Sequence, residues 1–252
     1  MKKKIIWLII LIFVIIVFVF GYIYYKNESM VPVLGYHGIL PAELNDGNEL
    51  IIDADVFEKQ LIALRDMGYK TLTLDEYYCW KMKKCDIPHR SVLITFDDGY
   101  QNNYEYAFPL LKKYNMNAVV FYIGEYAETE KSGFINLETI KQSKEEYPNI
   151  EFASHSFKRH NSIAENYEEV DYDIKQMKNI IDTKYFAYPH GEYTEEYIDA
   201  LKDNGYVMAF TFGPGKEHRK SLVNDDNYKI PRLNISNSMP MWKFKLRLLL
   251  PM

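Results

Sequence analysis

The chain has 252 residues, of which 30 are basic and 35 are acidic, so its formal net charge is −5. Leaving out the three lysines at positions 2–4, the rest of the chain has 27 basic and 35 acidic residues, a net charge near −8. This balance argues against a nucleic-acid partner, which would require clustered Lys and Arg. About 225 residues follow the N-terminal apolar segment, enough for one α/β domain with a substantial core.

The first predicted element is a membrane anchor. An uncharged run of 21 residues extends from Ile5 to Tyr25, close to the length that a helix needs to cross a hydrocarbon core of roughly 30 Å. A cleaved signal peptide is the alternative, but its apolar core would be shorter and would end at a small-residue site. We therefore predict a cytoplasmic stub (1–4), a transmembrane anchor (5–25) and an extracellular domain (26–252).

After the anchor, short apolar strands alternate with amphipathic helices. The predicted strands are Val31–Tyr36, Ser91–Phe96, Ala118–Ile123, Ile150–Ser154, Tyr185–Tyr188, Val207–Phe212 and Tyr228–Ile235. The predicted helices are Asp55–Gly68, Tyr104–Tyr114, Tyr167–Ile181 and Thr194–Asn204. Such alternation predicts an α/β fold with a mainly parallel sheet, either open or closed into a barrel.

Two features leave alternatives open. Cys79 and Cys85 are six positions apart, and in an oxidising compartment they would be either a local disulfide or two unpaired thiols. The segment Met241–Leu250 alternates apolar and basic residues before it becomes apolar. We expect it to dock on the domain, and contact with anionic lipid beside the anchor is the alternative.

Polar residues follow four of the predicted strands at their C-terminal ends. They are His37, Asp97 with Asp98, His155, and the turn Tyr188-Pro189-His190-Gly191. Active sites of β/α barrels gather at this end of the strands, so we expect these residues to converge on one site. The turn at His190 would also offer backbone N–H groups to a developing oxyanion.

The adjacent carboxylates of Asp97 and Asp98 indicate a bound cation. Placed side by side at the end of an apolar strand, they would repel each other unless a positive charge lay between them. A divalent metal would bind one of them and leave the other free to take a proton from water. For this motif alone, a surface Asp-Asp-Gly turn is an equally open alternative.

His155 and His160 are the predicted partners of this metal. On a helix, a spacing of five would point them roughly 140° apart, so they must lie on a loop to share one ion. A loop can bring both imidazoles to the metal beside a carboxylate. Unrelated surface histidines are the alternative, but their place directly after a strand favours ligation.

In this order, the motifs resemble the polysaccharide deacetylase family, the carbohydrate esterases that contain a NodB-homology domain. Residues 95–99 (TFDDG) resemble its first motif, residues 155–160 its second and residues 186–191 its third. Most members space the two histidines by four. The spacing of five, together with Tyr36-His37, is similar to the branch that deacetylates poly-β-1,6-N-acetylglucosamine. The resemblance extends from about Val31 to Ile235.

This resemblance implies a distorted (β/α) barrel that uses zinc or a similar divalent ion. Asp98, His155 and His160 would bind the metal, Asp97 would be the general base, and a backbone N–H near His190 would stabilise the oxyanion. The implied enzyme is a hydrolase that removes N-acetyl groups from an extracellular amino-sugar polymer. A polysaccharide synthase in the membrane is the implied candidate partner.

Two positions depart from the family pattern. His190 stands where the third motif usually has an aromatic residue, and Leu233-Asn234-Ile235 lacks the histidine of the usual Leu-x-His general acid. His37, and after it His218, are the candidates for protonating the leaving amine, whereas a structural hydrogen bond to the Asp pair is the other interpretation of His37. Peptidoglycan, chitin-like chains, acetylated xylan and a non-catalytic glycan-binding role remain alternatives.

Overall fold

The structure is a computed structural model that describes residues 2–160, 166–212 and 219–250. The strands are β1 (Met30–Val31), β2 (Val33–Tyr36), β3 (Gly38–Leu40), β4 (Ile51–Asp53), β5 (Lys70–Thr71), β6 (Ser91–Phe96), β7 (Ala118–Tyr122), β8 (Ile150–Ser154), β9 (Tyr185–Ala187), β10 (Met208–Thr211), β11 (Ser221–Leu222), β12 (Ile230–Pro231) and β13 (Leu233–Asn234). The helices are α1 (Lys2–Glu28), α2 (Ala54–Asp66), α3 (Leu74–Lys81), α4 (Phe108–Lys113), α5 (Gly124–Thr129), α6 (Leu137–Glu146), α7 (Tyr167–Ile180), α8 (Glu195–Asp203) and α9 (Met241–Leu249).

The main sheet is parallel and closes almost completely into a barrel. Its strand order is β13-β2-β6-β7-β8-β9-β10-β12, with β5 paired to β6 at one side. The segment 230–234 completes the ring, because β12 pairs with β10 while β13 pairs with β2. The predicted last strand, Tyr228–Ile235, is therefore in the right place but divides into two short strands. The first pairs with β10 and the second with β2.

Strand residues alternate between the inside of the barrel and the layer of helices around it. Val33, Leu93 and Phe121 belong to one buried cluster inside the barrel. Leu34 and Ile94 belong to another cluster that includes buried residues of α2 and α4. All six residues of β6 are buried, as a strand covered on both faces requires. The same alternation continues past the end of β6, and it directs the next inward position into the mouth of the barrel.

The predicted helices are present with small changes at their ends. The predicted helix Tyr104–Tyr114 instead begins with a π-helical turn, Asn103–Ala107, before α4. Pro109 lies just after this turn and has no backbone N–H to donate, which accounts for the local change of hydrogen bonding. Helices α3, α5 and α6 were not anticipated, although Thr73 and Glu76 form a capping box at the start of α3.

Gly21 of α1 and Leu246 of α9 line one cavity together with Ser91, at the end of the barrel where β6 begins. After α1, β1 forms a short antiparallel pair with β11. Among the residues that the structure describes, no helix has the combined length and apolarity of a membrane span. Cys79 and Cys85 form a disulfide. The C-terminal segment docks on the domain as predicted, as helix α9 with Phe244 and Leu248 buried.

Candidate metal centre and active site

The pair Asp97-Asp98 lies where β6 ends and the backbone turns sharply. Asp98 and Gly99 both adopt positive φ, 70° and 80°. A side chain at Gly99 would collide with the ring of Tyr122, so only glycine fits this exit. Positive φ at a non-glycine residue is strained, and such strain is concentrated at functional sites. The turn holds the two carboxylates in different directions.

Asp98, His155 and His160 form a cluster that fits a divalent metal. One ligand atom from each of the three side chains lies within 4.8 Å of the other two. Oδ1 of Asp98 is 2.9 Å from Nε2 of His160 and 3.5 Å from Nε2 of His155. This oxygen is buried and makes no well-oriented hydrogen bond. A buried carboxylate oxygen without a donor is costly, and a cation between these three atoms would satisfy it.

The charges around Asp98 keep its carboxylate ionised. Burial alone would raise the pKa of Asp98, but the nearby imidazoles of His155 and His160 outweigh burial and hold the pKa well below its usual range. Because metals bind the deprotonated carboxylate, this environment prepares Asp98 for ligation at neutral pH.

The orientation of His155 is fixed by a hydrogen bond from the other side of its ring. Its Nδ1 lies 2.8 Å from the carbonyl oxygen of Ala187, at the end of β9. Because a carbonyl only accepts, Nδ1 donates this hydrogen bond, and Nε2 is the ring nitrogen that faces Asp98 and would face a bound metal. The loop that follows is non-helical, as the spacing of the histidines predicted, and Asp173 of α7 accepts hydrogen bonds from the backbone N–H groups of Phe157 and Lys158.

Asp97 does not share the three-residue cluster but forms a buried ion pair with Arg232. The guanidinium donates two hydrogen bonds, of 2.6 Å and 2.8 Å, one to each carboxylate oxygen of Asp97. Burial raises the pKa of Asp97, but the charge and hydrogen bonds of Arg232, together with the nearby His155 and His37, outweigh burial, so the pKa lies below its ordinary value. The carboxylate of Asp97 is thus ionised and held in one orientation, and its Oδ2 lies 4.0 Å from Nε2 of His155.

We expect Arg232→Met to destabilise the fold by about 3–5 kcal/mol, because it leaves the buried carboxylate of Asp97 without its partner. Denaturant unfolding measures this loss. The double variant Asp97→Leu/Arg232→Met should lose much less than the sum of the two single variants, since it removes both charges. Additive losses would contradict the pairing.

Sequence reasoning missed Arg232, although it compared the neighbouring residues Leu233-Asn234-Ile235 with the family's last motif. Arg232 is fully buried between β12 and β13, where the last strand moves from one neighbour to the other. A signal was present, because an arginine within a predicted apolar strand requires a buried partner of opposite charge. Nothing in the sequence named that partner.

The structure places His37 and His190 at the same end of the barrel as the metal cluster. His37 directly follows β2, and its ring stacks on Phe212 with centroids 6.1 Å apart. Burial lowers the pKa of His37 and outweighs the charges of Asp97 and Asp98, which act in the opposite direction. Its buried Nδ1 makes no hydrogen bond, so no contact to the Asp pair forms through that nitrogen.

The ring centroid of His190 is 4.8 Å from that of His160. His190 lies in a short turn after β9 with φ of 57°, and its side chain is exposed. Gly191 follows at φ 75°, and a side chain there would collide with the backbone of Phe212, the residue that directly follows β10. The turn is therefore pressed against the neighbouring strand, which fixes the direction of its N–H groups.

His218 lies outside the described residues.

Comparisons with known proteins agree with this geometry. The family model described as "Polysaccharide deacetylase" matches residues 84–209. A Staphylococcus epidermidis protein named poly-beta-1,6-N-acetyl-D-glucosamine N-deacetylase is 31% identical over 231 residues, which cover 85% of this chain and 78% of that protein. The chain belongs to the polysaccharide deacetylase family. It is therefore a hydrolase of the deacetylase type.

Solved structures share the barrel of this deacetylase. The Streptococcus pyogenes deacetylase PplD, determined in complex with acetate, aligns with a TM-score of 0.77 at 23% identity, over 88% of this chain and 99% of that one. IcaB from Ammonifex degensii aligns with a TM-score of 0.73 at 24% identity, over 88% and 97% of the two chains. At these identities the likeness establishes the fold, and it confirms the predicted distorted (β/α) barrel.

Proposed function

We propose that this deacetylase removes N-acetyl groups from an extracellular amino-sugar polymer, poly-β-1,6-N-acetylglucosamine. The observation that carries the chemistry is the buried Asp98, His155 and His160 cluster beside the separately held carboxylate of Asp97. The choice of polymer is supported by the spacing of five between the two histidines and by the name of the S. epidermidis relative.

Asp98, His155 and His160 would hold the metal in this proposal. Two imidazole nitrogens and one carboxylate oxygen, with further positions open to water and substrate, suit zinc. When bound, such an ion supplies Lewis acidity that polarises the acetamide carbonyl and makes water a better nucleophile at neutral pH. The hydrogen bond from His155 to Ala187 keeps the ligand nitrogen aimed at the site.

Asp97 is the proposed general base. Arg232 fixes its carboxylate in one orientation and keeps it ionised, so it can accept a proton from the attacking water. Attack at the carbonyl carbon produces a negatively charged oxygen. The backbone N–H of His190 is the proposed donor to this oxyanion, because Gly191 holds the turn against the neighbouring backbone. Cleavage of the C–N bond then releases acetate and leaves an amine on the polymer.

His37 is the proposed general acid, since the leaving amine needs a proton. We expect His37→Gln to lower kcat for the N-acetyl substrate by about 10²–10⁴-fold. An aryl acetate ester releases a phenolate that leaves without protonation, so the same variant should hydrolyse this ester at nearly the wild-type rate. Both rates are measured on one preparation. An equal loss on amide and ester would remove the acid assignment.

The location outside the cell is part of the proposal. Residues 1–4 would be a cytoplasmic stub, 5–25 the transmembrane anchor and 26–252 the extracellular domain. The uncharged run of 21 residues from Ile5 to Tyr25 and the exposure of the apolar side chains from Ile5 to Val19 support this proposed anchor, although no helix among the described residues meets the length and apolarity of a membrane span. The disulfide between Cys79 and Cys85 supports an oxidising compartment. A polysaccharide synthase in the same membrane remains the candidate partner.

A comparison of substrates tests the proposed polymer. Acetate release by the zinc-loaded chain would be measured on β-1,6-linked N-acetylglucosamine oligomers, chitin oligomers, peptidoglycan and acetylated xylan. We expect release from the β-1,6 oligomers to be the fastest and to disappear in Asp97→Asn. Faster release from another polymer would reassign the substrate within the family. Metal binding without release from any polymer would favour a non-catalytic glycan-binding role.

A further inference from the structure

Helix α9 has two apolar faces, of which one is buried against the domain and the other is substantially exposed. Phe244 and Leu248, four residues apart, are buried against the domain. Trp242, Leu246 and Leu249 recur at spacings of four and three, which places them together on another face of the helix. Their side chains are 67%, 39% and 43% exposed. An exposed tryptophan in an apolar stripe indicates a surface that contacts something other than water.

The exposed stripe is flanked by positive charge. Lys243 and Lys245 lie on either side of it and are exposed, and residues 241–250 contain no acidic side chain. The chain after position 4 is acidic, with 27 basic and 35 acidic residues. The positive charge of this helix is therefore opposite in sign to the net charge of the domain. Apolar residues with Trp at the centre and Lys at the edges are typical of helices that lie in a membrane interface.

The position of α9 also points to a bilayer. A cavity of about 900 Å³ is lined by Leu246, Leu249 and Leu250 together with Gly21 of α1 and Met30 of β1. The C-terminal helix and the end of the proposed anchor thus lie beside each other. The same cavity is lined by Ser91, the first residue of β6, whereas Asp97 and Asp98 follow its last residue. The helix and the active site are therefore at opposite ends of the barrel.

We propose that the outer face of α9 rests on the anionic phospholipid surface of the bilayer that holds the anchor. Trp242, Leu246 and Leu249 enter the interface, while Lys243 and Lys245 bind lipid phosphate groups. This contact fixes the tilt of the barrel and turns the metal cluster away from the bilayer, toward a polymer outside the cell. The inference rests on the proposed anchor, and the deacetylase chemistry does not depend on it.

Tryptophan quenching in the full-length chain tests this contact. The chain contains three tryptophans, Trp7, Trp80 and Trp242, so Trp7→Phe/Trp80→Phe leaves Trp242 as the only one. This variant would be reconstituted into vesicles of phosphatidylcholine with or without phosphatidylglycerol, with lipids brominated near the headgroup as quenchers. We expect strong quenching of Trp242 in the anionic vesicles, and weak quenching in pure phosphatidylcholine or at high salt.

Charge reversal provides the matched control. In the same background, Lys243→Glu/Lys245→Glu should lower the ratio of docked to undocked chains by roughly 25-fold or more. Each basic residue near an anionic surface contributes about fivefold to the binding constant, and this variant loses two of them. Lys141→Glu/Lys144→Glu on α6 reverses two exposed lysines elsewhere and should leave the quenching unchanged. Quenching of Trp242 that is equal in the two vesicle types would overturn the proposed lipid contact.

Two readouts separate this inference from the proposals on which it stands. A variant that keeps only Trp7 reports whether the anchor inserts, and acetate release in the same vesicles reports the chemistry. Quenching of Trp7 without quenching of Trp242 would overturn the role of α9 and leave the anchor intact. Loss of both would overturn the anchor and the α9 contact together, whatever the rate of acetate release.

Discussion

Replacing Asp97 with asparagine is expected to lower kcat by about 10²–10⁴-fold, the range for loss of a positioned general base. Asparagine has nearly the same shape but cannot accept the proton of the attacking water. Asp97 lies outside the three-residue metal cluster and is held by Arg232, so the bound metal should be retained. The measurement combines kcat for acetate release with the metal content of the same preparation.

The control for this variant is an exposed aspartate of the same domain. Asp66 pairs with Arg65 on the surface of α2, and Asp66→Asn should keep full activity. Unlike the His37 variant, Asp97→Asn should lose activity on the aryl ester as well as on the amide, because hydrolysis of either substrate needs an activated water. Turnover near the wild-type rate would remove the base assignment.

Replacing Asp98 with alanine is expected to abolish metal binding and activity together. In the intact site, Oδ1 of Asp98 lies 2.9 Å from Nε2 of His160 and 3.5 Å from Nε2 of His155. The variant keeps the two histidines but removes the carboxylate that completes the ligand set. Loss of a residue that only orients a metal ligand already costs about 10–100-fold in affinity, and loss of the ligand itself should cost more. Metal titration of the purified variant measures this change.

His155→Ala is the companion variant and should behave in the same way as Asp98→Ala. A large excess of zinc should restore part of the activity in either variant if the lost affinity is the cause. The contrast with Asp97→Asn is the informative result, because one residue is proposed to act on the proton and the others on the metal. Full activity of Asp98→Ala with undiminished metal content would contradict the proposed ligand set.

The sequence was sufficient to place most of the candidate site. In a parallel barrel, the ends of all strands meet at one rim, so the residues after β2, β6, β8 and β9 had to converge once those strands were recognised. The spacing of His155 and His160 was equally informative, because it excluded a helix and required the loop that the structure shows. Both features depend on residues that are close together in the sequence, which is why the sequence alone could predict them.

The partner of Asp97 could not be predicted in this way. Arg232 is 135 residues away in sequence, and it reaches Asp97 only because the segment 230–234 closes the barrel next to β2. Which charges pair across such a distance depends on how the sheet closes, which hydrophobic periodicity does not specify. The division of the last strand at Arg232 has the same origin, since that segment pairs with a different neighbour on each side.

The central claim is most directly tested by acetate release from β-1,6-linked N-acetylglucosamine oligomers before and after the metal is removed. The full chain would be stripped with a chelator, assayed, and then titrated with zinc. The account predicts no release from the stripped chain, recovery that is complete at one zinc per chain, and no recovery in Asp97→Asn. Release that persists without metal, or a zinc-loaded wild-type chain that releases no acetate, would contradict it.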